Sequence, residues 1–388
     1  MIIPEAKRLS IVEEYYFSKK LKQIAQLRKD GKDIINLGIG SPDLAPSKAT
    51  IDALYETAKN EKSHGYQSYN GIPELRKGIA DWYKKTYSVE LNPDNEILPL
   101  IGSKEGIMHI SMAFVNEGDV VLVPNPGYPT YTSVSNLVGA KIQYYKLDEN
   151  KDWSIDINDL KSMNLDAVKL IWINYPNMPT GAQPDRNTLE ELIKLAKQHK
   201  FLIINDNPYS LILNDHPQSI FSIPGAKEVC LELNSLSKSH NMAGWRIGWV
   251  CGTSDYINSI MKVKSNMDSG MFLGLQKAAV EALKNSDEWH AELNKTYAER
   301  RKVVCEIFDA IDCKYNAQQV GLFVWAKVPE SVKSVEEFVD DILINADVFI
   351  TPGFIFGSNG DRYIRASLCS PVETCQVALQ RILKNKKK

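Results

Sequence analysis

The chain has 388 residues, enough for two or three domains and a sizeable core. Its 46 Lys and Arg against 48 Asp and Glu leave a formal charge of −2, which gives no drive toward nucleic acid or anionic membrane. With 44% apolar and 24% charged residues, the composition is that of a globular protein and excludes disordered, collagenous and disulfide-scaffold classes. No apolar run reaches the roughly 18–20 residues that span a bilayer. The opening MIIPEAKRLS turns polar too soon for a signal peptide. The six cysteines form no C-x-x-C pair and have no histidine at ligand spacing. They read as reduced core thiols of a cytoplasmic protein, and no metal site is expected.

In chain order, the stretch Arg8 to Tyr16 is aromatic and charged, and reads as a docked amphipathic helix within an N-terminal arm. A helix starts at Ile72-Pro73, where proline suits the first turn. The runs Val120–Val123, Ala167–Ile173, Phe201–Asn205, Val229–Leu233 and Arg246–Cys251 are nearly continuous in apolar residues. That pattern suits parallel strands covered on both faces. Between them, Arg186–His199 carries leucine and isoleucine at helical spacing. The alternation predicts a three-layer α/β/α domain with a mainly parallel sheet over residues 46–285. From Ser286 the pattern changes to one long amphipathic helix over 286–310. Strands Gly321–Lys327, Val348–Thr351 and Tyr363–Ser367 follow, with helices Ser334–Ile344 and Pro371–Lys384. These predict a smaller α+β domain made of 1–45 and 286–388. The terminal KNKKK reads as a solvated end.

Four segments carry candidate chemistry. In Ser235-Leu-Ser-Lys238-Ser, a lysine follows an apolar strand inside a turn of small hydroxyl residues, with Arg246 eight positions on. Such a lysine is a candidate for imine chemistry, and a surface lysine in a polar loop is the plainer reading. Asp206, in Asn205-Asp206-Asn-Pro-Tyr209, ends an apolar strand, where a carboxylate is expensive unless partnered. A turn or cap aspartate is its plainer reading. Asn174-Tyr-Pro-Asn177-Met-Pro-Thr-Gly181 fixes a turn that presents Asn177. Gly102-Ser103-Lys104-Glu-Gly106 opens a helix with small residues, which suits phosphate, although it is not a Walker A loop.

Taken in order, the motifs NLGIGSPD, YNGIPELR, GSKEG, PNPGYPTY, NYPNMPTG, NDNPY, SLSKSHNMAGWRIGW and GDRYIRAS resemble those of the fold-type-I pyridoxal-phosphate enzymes, specifically the class I/II aminotransferases. The resemblance runs from about Asn36 to Ser367. It implies pyridoxal 5'-phosphate as cofactor and assigns roles. Lys238 matches the lysine that bonds the cofactor and then moves the proton at the substrate Cα. Asp206 matches the carboxylate paired with the ring nitrogen. Tyr209 and Asn177 match donors to the ring 3-oxygen, and Tyr128 matches the ring stacked on the cofactor. Gly102, Ser103, Lys104, Ser235 and Arg246 match the phosphate site, where Arg246 can grip two oxygens. Tyr66 matches a tyrosine that reaches the phosphate of a neighbouring subunit, which implies a homodimer with shared active sites. Arg365 matches the arginine that binds the substrate α-carboxylate, and Gly40 offers backbone approach.

Two departures matter. The usual N-P-T-G reads N-M-P-T-G here. Taken as an extra residue, Met178 leaves Asn177 as the ring donor, which is the assignment adopted. Met178 can instead stand in place of the usual asparagine, or Asn174 can take the ring role. The segment Lys264–Phe272 also lacks the second arginine that dicarboxylate-specific relatives often have. A distal carboxylate would need Lys262, Lys264 or Arg8, and Asp268 would meet a distal ammonium. The expected donors are aspartate, alanine or a diaminopimelate-type amino acid, with 2-oxoglutarate as acceptor. A carbon–sulfur β-lyase on the same fold is the alternative. Transcription regulators with a domain of this type add an N-terminal winged helix, for which the first 40 residues leave no room.

Overall fold

The computed structural model describes residues 2–11 and 16–386. The N-terminal arm reading therefore falls partly on residues 12–15, outside the described ones, as do the last two lysines. Thirteen strands run along the described chain. They are β1 (Ile35–Asn36), β2 (Ile97–Leu100), β3 (Val120–Asn125), β4 (Lys141–Lys146), β5 (Val168–Ile173), β6 (Leu202–Asp206) and β7 (Cys230–Ser235), then β8 (Gly248–Cys251), β9 (Lys314–Tyr315), β10 (Phe323–Lys327), β11 (Val348–Phe349), β12 (Thr351–Pro352) and β13 (Tyr363–Ser367).

The large sheet has the order β2-β8-β7-β6-β5-β3-β4. Strands β4, β3, β5, β6 and β7 pair in parallel. Both of its faces are buried. Ile171, Ile173 and Ile203 pack into one core cluster, whereas Leu170, Trp172, Leu202 and Ile204 pack into another across the sheet. This alternation along continuously apolar strands is what burial on two faces requires. The helices between the strands follow ordinary capping chemistry. Asp185 Oδ2 accepts from the Thr188 amide at 2.8 Å and starts helix Arg186–His199. Its Leu189, Leu192, Ile193 and Ala196 form the buried stripe.

One strand departs from the parallel expectation. β8 runs antiparallel to both β7 and β2. The link between β7 and β8 spans Leu236–Ile247 and holds only one short helix, Leu236–Ser239, and one 3-10 turn. No helix there is long enough to cross back over the sheet, so the strand returns beside its predecessor.

The second body is built on a four-stranded antiparallel sheet, β12-β13-β10-β9. The expected strand Val348–Thr351 is two strands. β11 pairs in parallel with β1 from the N-terminal segment, and β12 joins β13. Helices Asp287–Ala310, Val335–Ala346 and Val372–Lys386 cover this sheet. Ser286 caps the first, with its hydroxyl accepting from the Trp289 amide at 3.3 Å. All six cysteines are free thiols. No helix of the described residues is long and apolar enough to cross a membrane.

The N-terminal segment is tied to the second body by charge. Arg300, 3% exposed, grips Asp43 through two bonds of 2.6 and 2.9 Å and also donates to the Leu368 carbonyl. Asp43 keeps 27% of its side chain exposed, so it is loss of Asp43 that strands a buried charge, on Arg300, at about 3–5 kcal/mol. Asp43→Ala should therefore lower the stability read from the urea unfolding midpoint by that order. An unchanged midpoint would show that the pair is not holding the segment.

Candidate active site

The carboxyl ends of the parallel strands converge on one cavity of about 540 Å3. This is where an open α/β sheet places its ligands. Its wall includes Asn174 just after β5, Asp206 at the end of β6, Ser235 at the end of β7, and Ser103 and Lys104 just after β2. Because β8 is reversed, its starting end lies here too, and Arg246 stands just before it. The second body supplies Phe323 from β10, Phe356 and Arg365 from β13, and the N-terminal segment supplies Gly40.

The phosphate-type end is built on backbone and small side chains. Gly102 precedes helix Ser103–Phe114 with φ +83°, and a Cβ there would fall 2.2 Å from Arg246 Nη2. Only glycine allows this guanidinium to lie against the helix start. Arg246 itself has φ +58° and donates to the Ala243 carbonyl at 2.8 Å. The Ser235 hydroxyl donates to the Ile247 carbonyl and accepts from the Ser237 amide, both at 3.0 Å, which fixes it at the strand end. The open helix N-terminus, serines and a guanidinium form an anion cradle.

At the other end lies Asp206, 5% exposed. Its Oδ2 accepts from Tyr131 at 2.8 Å. Its Oδ1 accepts a hydrogen bond from no described residue. Burial pushes the carboxyl up to about 6, against the opposing hydrogen bond from Tyr131. The neighbouring strand end is braced around it. Asn174 donates to the Asp206 carbonyl at 2.5 Å, and its oxygen accepts from the Met178 amide at 2.8 Å. Lys238 Nζ donates to the Gly40 carbonyl at 2.5 Å. Burial, with Arg365 and Arg246 nearby, lowers its ammonium pKa from the ordinary lysine range, against the opposing influence of Cys369. Burial also raises the Tyr209 phenol, with Arg365 opposing.

Arg365 sits at the centre of the small sheet, between β10 and β12. Its Nη2 donates to the Gly38 carbonyl at 2.9 Å, and its guanidinium lies 3.9 Å from the centre of the Phe323 ring.

Of the residues singled out by sequence, Gly40, Ser103, Lys104, Tyr128, Asp206, Tyr209, Ser235, Lys238, Arg246 and Arg365 line this one cavity, and Gly102 lies directly behind Arg246. Asn177 does not line it. Its side-chain oxygen accepts from the Thr180 amide at 3.3 Å and hydroxyl at 2.8 Å and closes the turn. Asn174 and Met178 form the wall instead. Asn177 as a ring donor is thus corrected, and Met178 occupies the cavity position on this turn. Lys264 and Asp268 are also not available for a distant substrate group. They are 2% and 9% exposed at the side chain, and the ammonium holds both carboxylate oxygens at 2.7 and 2.8 Å. Tyr66 is 93% exposed and outside this chain's own cavity. Sequence reasoning missed Tyr131, although its spacing from Tyr128 on one short helix was a usable signal.

The parallel sheet, the cradle at its carboxyl ends, and Lys238 and Asp206 on the wall of one cavity are the arrangement of the α/β pyridoxal-phosphate class. The chain belongs to the aminotransferase class I and II family, whose model matches residues 32–382. It is 39% identical over 380 residues to the LL-diaminopimelate aminotransferase of Moorella thermoacetica, covering 97% of each chain. It is 40% identical over 382 residues to the enzyme of the same name from Maridesulfovibrio salexigens, covering 98% of each. Among solved structures it is similar to substrate-bound BacF from Bacillus subtilis, with a TM-score of 0.94 and 33% identity over 98% of each chain. It is also similar to a probable N-succinyldiaminopimelate aminotransferase from Thermus thermophilus, with a TM-score of 0.89 and 31% identity over 95% of this chain and 99% of that one. The chain is an aminotransferase.

The raised carboxyl makes a stability prediction. An acid whose folded pKa lies near 6, above its unfolded value near 3.9, holds its proton more tightly when folded. The stability it contributes is present in full below about pH 4 and is lost as pH rises through 6, about 3 kcal/mol in all. Asp206→Asn cannot titrate. In protein stripped of pyridoxal phosphate, the variant should gain on wild type by that order between pH 4 and 7 in urea unfolding. A difference independent of pH would contradict the burial account.

Proposed function

We propose that this chain binds pyridoxal 5'-phosphate in the cavity and uses it to move the amino group of an L-amino acid to a 2-oxo acid. The observation that carries the reading is the Asp206 oxygen that is buried without a donor. A protonated ring nitrogen is the group whose chemistry fits it, and the cradle of Ser103, Ser235 and Arg246 fits a phosphate at the other end. Bound there, the cofactor would supply an aldehyde to receive an amine and a ring to take up electrons.

The chain's own residues do the rest. Asp206 holds the proton on the ring nitrogen, because a carboxylate is the strongest partner for that N–H. Tyr209 would hold the ring 3-oxygen and Tyr128 would cover the ring face. Lys238 would hold the aldehyde. Its amine would be the group that takes the substrate Cα proton and returns one. A lysine whose ammonium is made less stable by burial is suited to act as a base near neutral pH. Arg365 binds the α-carboxylate with two parallel bonds, held by a rigid strand and shielded by Phe323. The same binding and release of an oxo acid in reverse completes a ping-pong cycle. No observation favours the carbon–sulfur lyase alternative over this cycle.

The shared homodimer belongs to the same proposal. Tyr66 projects from the surface, where a neighbouring subunit's phosphate could accept its hydroxyl. The curated relatives bear the name LL-diaminopimelate aminotransferase. A donor of that kind, like aspartate or 2-oxoglutarate, needs a charged partner for its far end.

Lys238→Ala should leave the fold intact while abolishing amine transfer, read as oxo-acid formation in a coupled assay. Arg365→Ala should raise the donor KM by roughly 100-fold and leave the cofactor absorbance unchanged. Turnover retained by the lysine variant would overturn the mechanism.

A further inference from the structure

We propose that Met178 is a specificity-determining residue and that the cavity takes L-amino acids with apolar side chains. The inference rests on the aminotransferase reading above. Met178 is buried, lines the cavity, and places its Sδ 3.0 Å from Arg365 Nη1. A thioether is only a weak acceptor and has no donor, and here its sulfur faces the guanidinium. An asparagine at this position would offer two N–H donors and a carbonyl. A polar or charged group of the substrate packed against the methionine itself loses water and gets no hydrogen-bond donor from it in return. An apolar group loses nothing and gains contacts with a flexible, polarizable side chain.

The neighbours of Met178 continue the same chemistry. Phe323 and Phe356 lie 3.9 and 4.5 Å from the Arg365 guanidinium, and Phe17 lies 5.7 Å from it. Leu21 from helix Tyr16–Lys29 and Ile39 complete the wall. The charged side chains that line the cavity are Lys104, Asp206, Lys238, Arg246 and Arg365. Each already serves the phosphate, the ring nitrogen, the aldehyde or the α-carboxylate. Among the described residues of this chain, the wall holds no further charge for the far end of a substrate. Lys264 and Asp268, the sequence candidates for that task, neutralise one another instead.

The test compares the holoenzyme with Met178→Asn and Met178→Leu. Turnover is measured with leucine, methionine and phenylalanine against aspartate and LL-diaminopimelate. Calorimetry measures binding of α-methyl-leucine and α-methyl-aspartate, which have no Cα proton to transfer. Wild type should prefer the apolar members by at least about 10-fold in kcat/KM and in affinity, the order that one apolar group contributes. Met178→Asn should erase that preference through KM, and Met178→Leu should keep it. Equal or better use of aspartate or LL-diaminopimelate by wild type would overturn the proposal. So would a Met178→Asn variant that slows every donor by the same factor, which is the mark of a merely structural role. If no donor transfers its amine, the aminotransferase reading fails, while the binding comparison still decides the present one.

Discussion

A carboxylate taken out of water with one oxygen unanswered is the constraint around which this structure is arranged. Asp206 ends a central strand, 5% exposed, and only Tyr131 donates to its carboxylate among the described residues. Tyr131 is itself held by stacking on Trp172, with ring centres 5.0 Å apart and planes nearly parallel. Behind it, Asn205 accepts from the Tyr175 amide and donates to Glu232, a buried carboxylate whose partners include Tyr83 and Ser219. Glu232 is satisfied on both oxygens and Asp206 is not. Two acids in one core with opposite satisfaction have different tasks, and the unsatisfied one faces the cavity.

The two bodies of the fold meet at this cavity through a short stretch of backbone. The Gly38 carbonyl accepts from Arg365, and the Gly40 carbonyl accepts from Lys238. A Cβ at Gly38 would lie 2.4 Å from Phe349, and one at Gly40 would lie 2.2 Å from Phe323. The segment Gly38-Ile39-Gly40 therefore passes where side chains would not fit, and couples the lysine of the large sheet to the arginine of the small one. Asp43, five residues past Gly38, anchors the segment on Arg300. Lys238 and Arg365 are thus both positioned by one piece of chain.

Much of this was legible from sequence because local signals agreed with the fold. Continuous apolar runs gave away β5 and β6, and spacing gave away helix Arg186–His199 to the residue. The illegible parts depend on distant chain. β2 contains Pro99 and only four residues, and its place in the sheet is known only from its partner β8. β4 lies at the sheet edge and buries only Tyr145 of its six residues, so it lacks the apolar run of its neighbours. The direction of β8 follows from a short connection rather than from its own residues. Likewise, Asn177 and Met178 are adjacent in sequence, and only the path of the turn decides which one reaches the cavity. The pairing of Lys264 with Asp268 is an i,i+4 contact that spacing allows, but the burial that removes both from the surface comes from packing.

Asp206, buried and half-satisfied, is proposed to receive a protonated ring nitrogen. The most direct measurement is the dissociation constant of the cofactor-free protein for pyridoxal phosphate against its 1-deaza analogue, in which carbon replaces that nitrogen. The account predicts that the deaza compound binds at least about 10-fold more weakly, since a buried charge-assisted hydrogen bond contributes about 1.5–3 kcal/mol. It also predicts that Asp206→Ala removes the difference. Equal affinity of wild type for the two compounds would contradict it.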